Sequence, residues 1–204
     1  MQQIFEIKEK KIINKLLDKA EYGTLALSDE GKPYSLPINF VMIEDVLYFH
    51  GSLKGKKMSI LAKNSNVSFS VVEEYSLIQS YFSATDGLAC PATQFFKSVV
   101  INGRAIILTE QKEKAKVLEA LMQKLQPEGK YIPLSDEIYA KELKATAVVK
   151  IVIDELTCKF KFGQHLKEKR FDMIVKHLEA RGNPIDLETI ELMKEMKGTS
   201  CKNT

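Results

Sequence analysis

Cysteine is scarce in this chain, and Cys90, Cys158 and Cys201 form an odd, widely spaced set. That excludes a disulfide framework and a paired Cys-x-x-Cys metal motif, and implies reduced thiols. Histidine is as sparse: His50, His165 and His177 share no HExxH or His–Cys spacing, so zinc has no local ligand set and no metal site is expected. No GxSxG elbow marks a hydrolase nucleophile, and no glycine-rich dinucleotide fingerprint is present. Cys90, next to Pro91, has no electropositive partner identifiable in the sequence and reads as an ordinary loop cysteine. The longest apolar runs fall far short of a membrane span, and the first residues lack the order of a secretory signal, so a soluble cytoplasmic protein without a membrane partner is expected. Net charge is only +3 with pI near 8.6, and lysines are spread along the chain, so nucleic acid is not an expected partner.

What is present is a globular composition, 45% hydrophobic and 28% charged over 204 residues, enough for one core and an appendage. The opening MQQIFEIKEKKIINKLLDKA reads as a charged amphipathic helix with Ile12, Ile13, Leu16 and Leu17 on one stripe, stopped before Gly23. Thr24 to Ser28 reads as a strand closed by the turn at Asp29, Glu30 and Gly31. Tyr34, Leu36, Ile38, Phe40 and Met42 then alternate along a second strand, and Val46 to His50 returns as its hairpin partner. Pro37 removes a ladder donor, which predicts an edge or bulge and leaves neighbouring backbone groups free beside Asn39.

A short helix carrying Met58 and Leu61, a strand over Val67 to Val72, a long irregular loop from Tyr75 to Ala92, and a strand from Phe95 to Leu108 with Gly103 as a bulge follow. Ala115, Leu118, Leu121, Met122 and Leu125 mark a helix stopped by Pro127 and Gly129. A smaller helix starts at Ser135, and Ala145 to Ile153 is a β-branched strand. Beyond Asp154 come KFKFGQHLKEKR, a helix with Phe171, Ile174, Val175 and Leu178 on one stripe, a stop at Gly182, and a final helix after Asp186. The fold class implied is a small closed antiparallel β-barrel with peripheral helices, α+β. Residues 1–155 make the barrel domain with its N-terminal helix, and 156–204 a helical extension packing on the barrel or on a dimer partner.

The loop HGSLKGKK, from His50 to Lys57, carries the clearest chemistry. Gly51, Ser52 and Gly55 allow tight turns that expose N–H groups, and Lys54, Lys56 and Lys57 crowd positive charge where a helix begins near Lys56. A phosphate fits such a loop; so does a solvated basic turn.

Taken in order, YGTLALSDEGKPYSLPINFVMIEDVLYFHGSLKGKKMSIL, TQFFKSVVINGRAIIL and KAKVLEALMQKLQPEG resemble the FMN-binding split-barrel family related to pyridoxamine 5′-phosphate oxidase, in particular its nitroimidazole-reductase-like branch. The resemblance runs from Tyr22 to about Ile153. It implies a six-stranded antiparallel Greek-key split barrel and a homodimer with FMN at the interface. On that pattern Gly51, Ser52 and Lys57 hold the FMN phosphate, and His50 lies beside the flavin as the best proton-handling group. Pro37, Ile38 and Asn39 run along the isoalloxazine edge. Ser98 and Val99 match another flavin-contacting segment, with Thr93 and Phe96 as further candidates. Lys97 stands near where the family often has arginine or tyrosine, and keeps the charge without the guanidinium fork.

The run CKFKFGQHLKEKR resembles the KFKxxQN tail of FMN-binding transcriptional-regulator-like split barrels, with His165 in place of the asparagine. Lys159, Lys161 and Gln164 then approach the flavin from a partner subunit, although Phe160 and Phe162 alternating with the lysines also fit a half-buried strand. The function implied is an FMN-dependent oxidoreductase that takes hydride from NADH or NADPH and reduces a small acceptor such as a nitroaromatic or quinone. The alternatives are an FMN-binding sensor or regulator, and a haem-binding or haem-degrading protein with His165 or His177 on the iron.

Overall fold

The alternation from Tyr34 to Met42 becomes β2 (Lys32–Ile43), which pairs antiparallel with β1 (Tyr22–Asp29) through a turn at Glu30 and Gly31. Both turn residues have positive φ, +53° and +83°, the pattern of a two-residue hairpin whose twist matches its strands. The next turn, Glu44 and Asp45, repeats that backbone without glycine and leads into β3 (Val46–Ser52). Before these strands lies α1 (Lys10–Lys19); after them come α2 (Lys56–Lys63), β4 (Asn66–Ile78), β5 (Thr93–Ile107), α3 (Gln111–Leu125), α4 (Ala140–Ala145), β6 (Thr146–Lys161), α5 (Glu168–Arg181) and α6 (Pro184–Ser200). The computed structural model describes residues 2–200, so Cys201 lies outside them.

The strands close into a barrel in the order β1-β2-β3-β6-β5-β4. β3 therefore neighbours β6, with Leu47 opposite Ile151, and β1 neighbours β4, with Thr24 opposite Ser70. This is the six-stranded antiparallel Greek-key barrel with peripheral helices that the sequence implied. No helix among the described residues is long and apolar enough to cross a membrane.

Contacts divide the chain into two units. One comprises Glu9–Val71 and Val99–Thr157. Its core is built from alternate strand residues, Leu25, Phe40, Leu47, Phe49, Phe69, Ile101 and Ile151, each nearly inaccessible. Helix α3 lays Val117 and Leu121 on Val41, Leu108 and Val148. Lys114 reaches inward from the same helix and donates to the carbonyls of Leu143 and Thr146, at 3.2 and 2.9 Å.

The other unit comprises the described parts of Met1–Lys8, Val72–Ser98 and Cys158–Thr204. Tyr75, Phe82, Phe95, Phe160, Phe162, Phe171 and Leu178 are buried in it. Gly182 ends α5 with φ +65°, and its N–H donates to the Leu178 carbonyl at 2.9 Å.

Several elements depart from the sequence reading for local reasons. The N-terminal helix is only Lys10–Lys19, because Phe5 is buried, Glu6 bridges Lys159, and Ile7 N–H donates to the Cys158 carbonyl. Gly23 does not cap that helix; it lies in β1, where a Cβ would sit 2.3 Å from the Phe69 ring. Strand β4 continues to Ile78, into what read as loop, and a 3-10 turn at Ser80–Phe82 follows. Helix formation after Ser135 waits for a 3-10 turn at Glu137–Tyr139, begun by Asp136 accepting from Ile138 N–H. Strand β6 runs on to Lys161, so Lys159, Phe160 and Lys161 are strand, with Phe160 and Phe162 buried.

Candidate functional site

β2 and β3 stay paired only from Ile43 and Val46 to Phe40 and Phe49. Beyond that point β2 remains on β1, with Asn39, Ile38 and Pro37 opposite Tyr22, Gly23 and Thr24. β3 remains on β6, with His50, Gly51 and Ser52 opposite Val148, Ala147 and Thr146. The barrel wall thus splits between Pro37–Asn39 on one lip and His50–Ser52 on the other. Pro37, which has no N–H to give, sits on the lip that has lost its β3 neighbour.

The lower lip turns directly into α2. Gly55 precedes that helix at φ +110° and ψ 174°, a conformation open only to glycine. Ser52 Oγ accepts from Lys54 N–H at 3.1 Å, which tightens the loop. Lys57, in the first turn of α2, folds back across Gly51: a Cβ on Gly51 would lie 2.6 Å from Lys57 Nζ. The same ammonium is 5.1 Å from the Phe49 ring, and Lys56 lies over Tyr34 at 4.5 Å.

Burial lowers the Lys57 pKa from the usual lysine value. His50 keeps solvent access, yet the protein packed around it disfavours its charged form, and Lys57 adds to that; both lower its pKa. The loop therefore presents a desolvated ammonium, a hydroxyl, a neutral imidazole at pH 7 and the backbone entering a helix. Such a set suits oxyanion oxygens. On the opposite lip Asn39 donates Nδ2–H to the Glu21 carbonyl at 2.9 Å, which orients its side-chain oxygen as an acceptor. Ile38 is buried.

The structure thus brings Pro37, Ile38, Asn39, His50, Gly51, Ser52 and Lys57 to one split. Val99 lies within β5 and is 1% exposed.

The other unit holds Thr93, Phe96, Ser98, Lys159, Lys161 and Gln164. Lys159 lies between the rings of Phe5 and Phe96, at 5.5 and 5.3 Å. Lys161 Nζ donates to Thr93 Oγ1. Ser98 is partly exposed at the end of this unit's share of β5. Gln164 is buried and uses both ends of its amide locally: its oxygen accepts from Phe162 N–H at 2.8 Å, and its nitrogen donates to the Phe160 carbonyl at 2.7 Å. It clamps the turn after β6. Lys97 donates to Tyr75 Oη at 2.7 Å and pairs with Glu73 at 3.8 Å.

His165 meets Phe5 edge-on at 5.2 Å, and His177 stacks on Phe82 at 4.7 Å. The buried Cys158 thiol is pushed up to about 11, mainly by desolvation. Cys90 lines a pocket together with Lys161, His165 and Arg170. Those residues lie far from it in sequence, and only the path of β6 into α5 brings them there. Ser83 and Arg170, joined at 3.2 Å in the same pocket, carried no signal in the sequence.

A family model described as pyridoxamine 5′-phosphate oxidase matches residues 9–160. The protease synthase and sporulation protein PAI 2 of Bacillus subtilis (strain 168) is 21% identical over 199 residues, spanning 94% of each chain. Among solved structures, a candidate 5-nitroimidazole antibiotic resistance protein of Bacteroides thetaiotaomicron VPI-5482 is 22% identical with a TM-score of 0.63, over 76% of this chain and 85% of its own. The FAD and heme binding protein of Mycobacterium smegmatis is also 22% identical, with a TM-score of 0.65, over 76% and 73%. At these identities the solved structures speak to the fold alone. The family match runs from the start of α1 to the next-to-last residue of β6, and on that match the chain belongs to the pyridoxamine 5′-phosphate oxidase family.

Proposed function

We propose that this chain is a cytoplasmic flavoprotein that binds FMN in the split between β2 and β3 and works as a nicotinamide-dependent oxidoreductase on a small acceptor such as a nitroaromatic or quinone. The observation that carries the reading is the split itself, with an anion-suited loop on one lip and free backbone on the other. The residues fit the group. Lys57 lies across Gly51 because Gly51 has no Cβ, and the lowered lysine pKa marks an ammonium short of solvation that a dianion would restore.

A bound flavin supplies two-electron chemistry, taking hydride from NADH or NADPH and giving it to the acceptor. The chain's own contribution is placement. Lys57, Ser52 and the Gly51 backbone hold the phosphate, Asn39 and the backbone beside Pro37 and Ile38 meet the polar edge of the ring, and His50, neutral at pH 7, exchanges a proton at its free ring nitrogen. Resemblance adds a homodimer in which Lys159, Lys161 and Gln164 approach from a partner subunit. The flavin-binding descriptions of the Mycobacterium smegmatis protein support the cofactor class.

The test is the ultraviolet–visible spectrum of the purified protein, with any pigment released by denaturation and identified by chromatography and mass. FMN is expected. A colourless protein that also fails to bind added FMN overturns the assignment, and released FAD corrects the cofactor.

A second reading, an FMN-binding regulator with little turnover, rests on the resemblance of CKFKFGQHLKEKR to the tail of FMN-binding transcriptional-regulator-like split barrels. Steady NADH consumption with a nitroaromatic or quinone distinguishes the enzyme; a flavin reduced once without turnover points to the regulator.

A further inference from the structure

Outside the β2–β3 split, the unit that holds α5 and α6 contains a second concavity of about 220 Å³. Its floor is apolar and closed: Phe95 is 1% exposed and Ile174 2%, with Leu166 beside them. Around that floor stand three cationic or protonatable groups, Lys161, His165 and Arg170, and two hydroxyls, Ser83 and Thr93. Among the described residues no carboxylate lines it.

The hydroxyls set the direction of the cations. The buried Ser83 Oγ accepts from Arg170 Nη2 at 3.2 Å, and Thr93 Oγ1 accepts from Lys161 Nζ. Each cation is held by one neutral acceptor, which leaves its remaining donors for something else. Among the described residues none of the three forms an ion pair with a carboxylate. Like charge gathered on a partly desolvated wall is unfavourable by itself, and an anion relieves it. The imidazole of His165 registers that field. Burial lowers its pKa first, followed by Lys161 and Arg170 on either side and Lys197 from α6; Phe5 covers its other side.

We propose that this pocket binds a small organic anion, its carboxylate or phosphate on Arg170, Lys161 and His165 and its apolar body on Phe95, Leu166 and Ile174. At about 220 Å³ the pocket is smaller than the roughly 300–1,000 Å³ of sites for drug-sized ligands, which limits the occupant to about one ring. Arg170 supplies the fork that fixes a planar carboxylate, and the hydrophobic floor selects against bare inorganic ions. The proposal goes beyond the flavin reading and does not depend on it. Lys161 and Thr93 are shared with the residues that the resemblance assigns to flavin, whereas Arg170, Ser83 and His165 are outside them.

Benzoate is the probe, with benzamide as its neutral isostere and inorganic phosphate as the bare anion. Cys90 lines the pocket and is exposed, whereas Cys158 is buried, so alkylation of the Cys90 peptide, read by mass spectrometry, reports occupancy. Benzoate is expected to slow Cys90 alkylation and to raise the His165 pKa measured by NMR, with its resonance assigned by His165→Gln. Benzamide should do neither, and phosphate should act at least tenfold more weakly. Arg170→Met should weaken benzoate at least tenfold while released flavin is unchanged, and Lys57→Met should leave benzoate protection intact. Equal protection by benzamide, or none by benzoate in wild-type protein of unchanged circular dichroism, overturns the site. Phosphate binding as tightly as benzoate overturns the organic-anion class.

Discussion

Gly51 and Lys57 put the flavin reading at the scale of two residues. A methyl group on Gly51 would meet the mobile end of Lys57, not backbone, so Gly51→Ala should fold normally while pushing the ammonium off the loop. FMN affinity should fall at least tenfold in Gly51→Ala and further in Lys57→Met, with melting temperatures within a few degrees of wild type. Fluorescence titration of the apoprotein with FMN measures this; unchanged affinity in both variants means the phosphate lies elsewhere. His50 gives a pH prediction of definite sign. Because its pKa is lowered in the free protein, a neutral imidazole persists to more acidic pH than for an ordinary histidine, and any loss of reductase rate through His50 should begin below the usual histidine range. A rate profile on His50→Gln that keeps the same acid limb removes the residue from proton handling. The glycines and lysines of this loop were legible in the sequence because type and spacing alone define an anion loop. The fold-back of Lys57 over Gly51 was not, since it depends on a side-chain rotamer.

At the scale of elements, the turn from α5 to α6 is the most strongly tied polar feature. Asp186 has no exposed surface and accepts from Arg181 Nε at 2.8 Å and from Ser76 Oγ, while Asn183 N–H donates to it at 3.2 Å. Led by the Arg181 hydrogen bonds, these hold its carboxyl down to about 2. A carboxylate with a depressed pKa stabilises the fold above its unfolded value near 3.9. That contribution fades as pH falls towards about 2. Asp186→Asn strands a part-buried guanidinium, so a loss of about 3 kcal/mol at pH 7 is expected, shrinking towards acid pH. Urea unfolding at pH 7 and pH 3 checks it; an equal loss at both rejects the ionic account.

Gly103 makes the contrast with backbone. A Cβ there would lie 2.2 Å from the Val152 carbonyl oxygen, which cannot swing aside, so Gly103→Ala should cost several kcal/mol or prevent folding, as read by soluble yield and melting temperature. Sequence patterning marked Gly103 as special but proposed a bulge, because period-two alternation cannot distinguish a bulge from close approach of the next strand. It likewise ended β6 near Asp154 and Glu155, since exposed acids in mid-strand look like a turn. It drew the first helix too long because the bridge from Glu6 to Lys159 is invisible locally.

At the scale of the whole molecule, strand existence was readable from alternation while strand order was not. Nothing local makes β3 choose β6 over β4, and resemblance supplied what periodicity lacked. The same holds for assembly. On unit Glu9–Val71 with Val99–Thr157, Val100 and Ile106 of β5 are 38% and 46% exposed and share one strand face with Asn102 and Arg104 between them, whose side chains bond Glu155 and Asp154 on β6. Two apolar residues flanking a hydrogen-bonded amide and a paired guanidinium make a face suited to being covered. If the flavin site is completed by a second copy, light scattering should give twice the 23.1 kDa chain mass, with one flavin per chain, and Ile106→Glu should lower both the mass and the bound flavin together. A stable monomer that still carries stoichiometric flavin shows that the split between β2 and β3 is sufficient by itself. Coupled loss of mass and flavin shows that the partner subunit finishes what Lys57 and Ser52 begin.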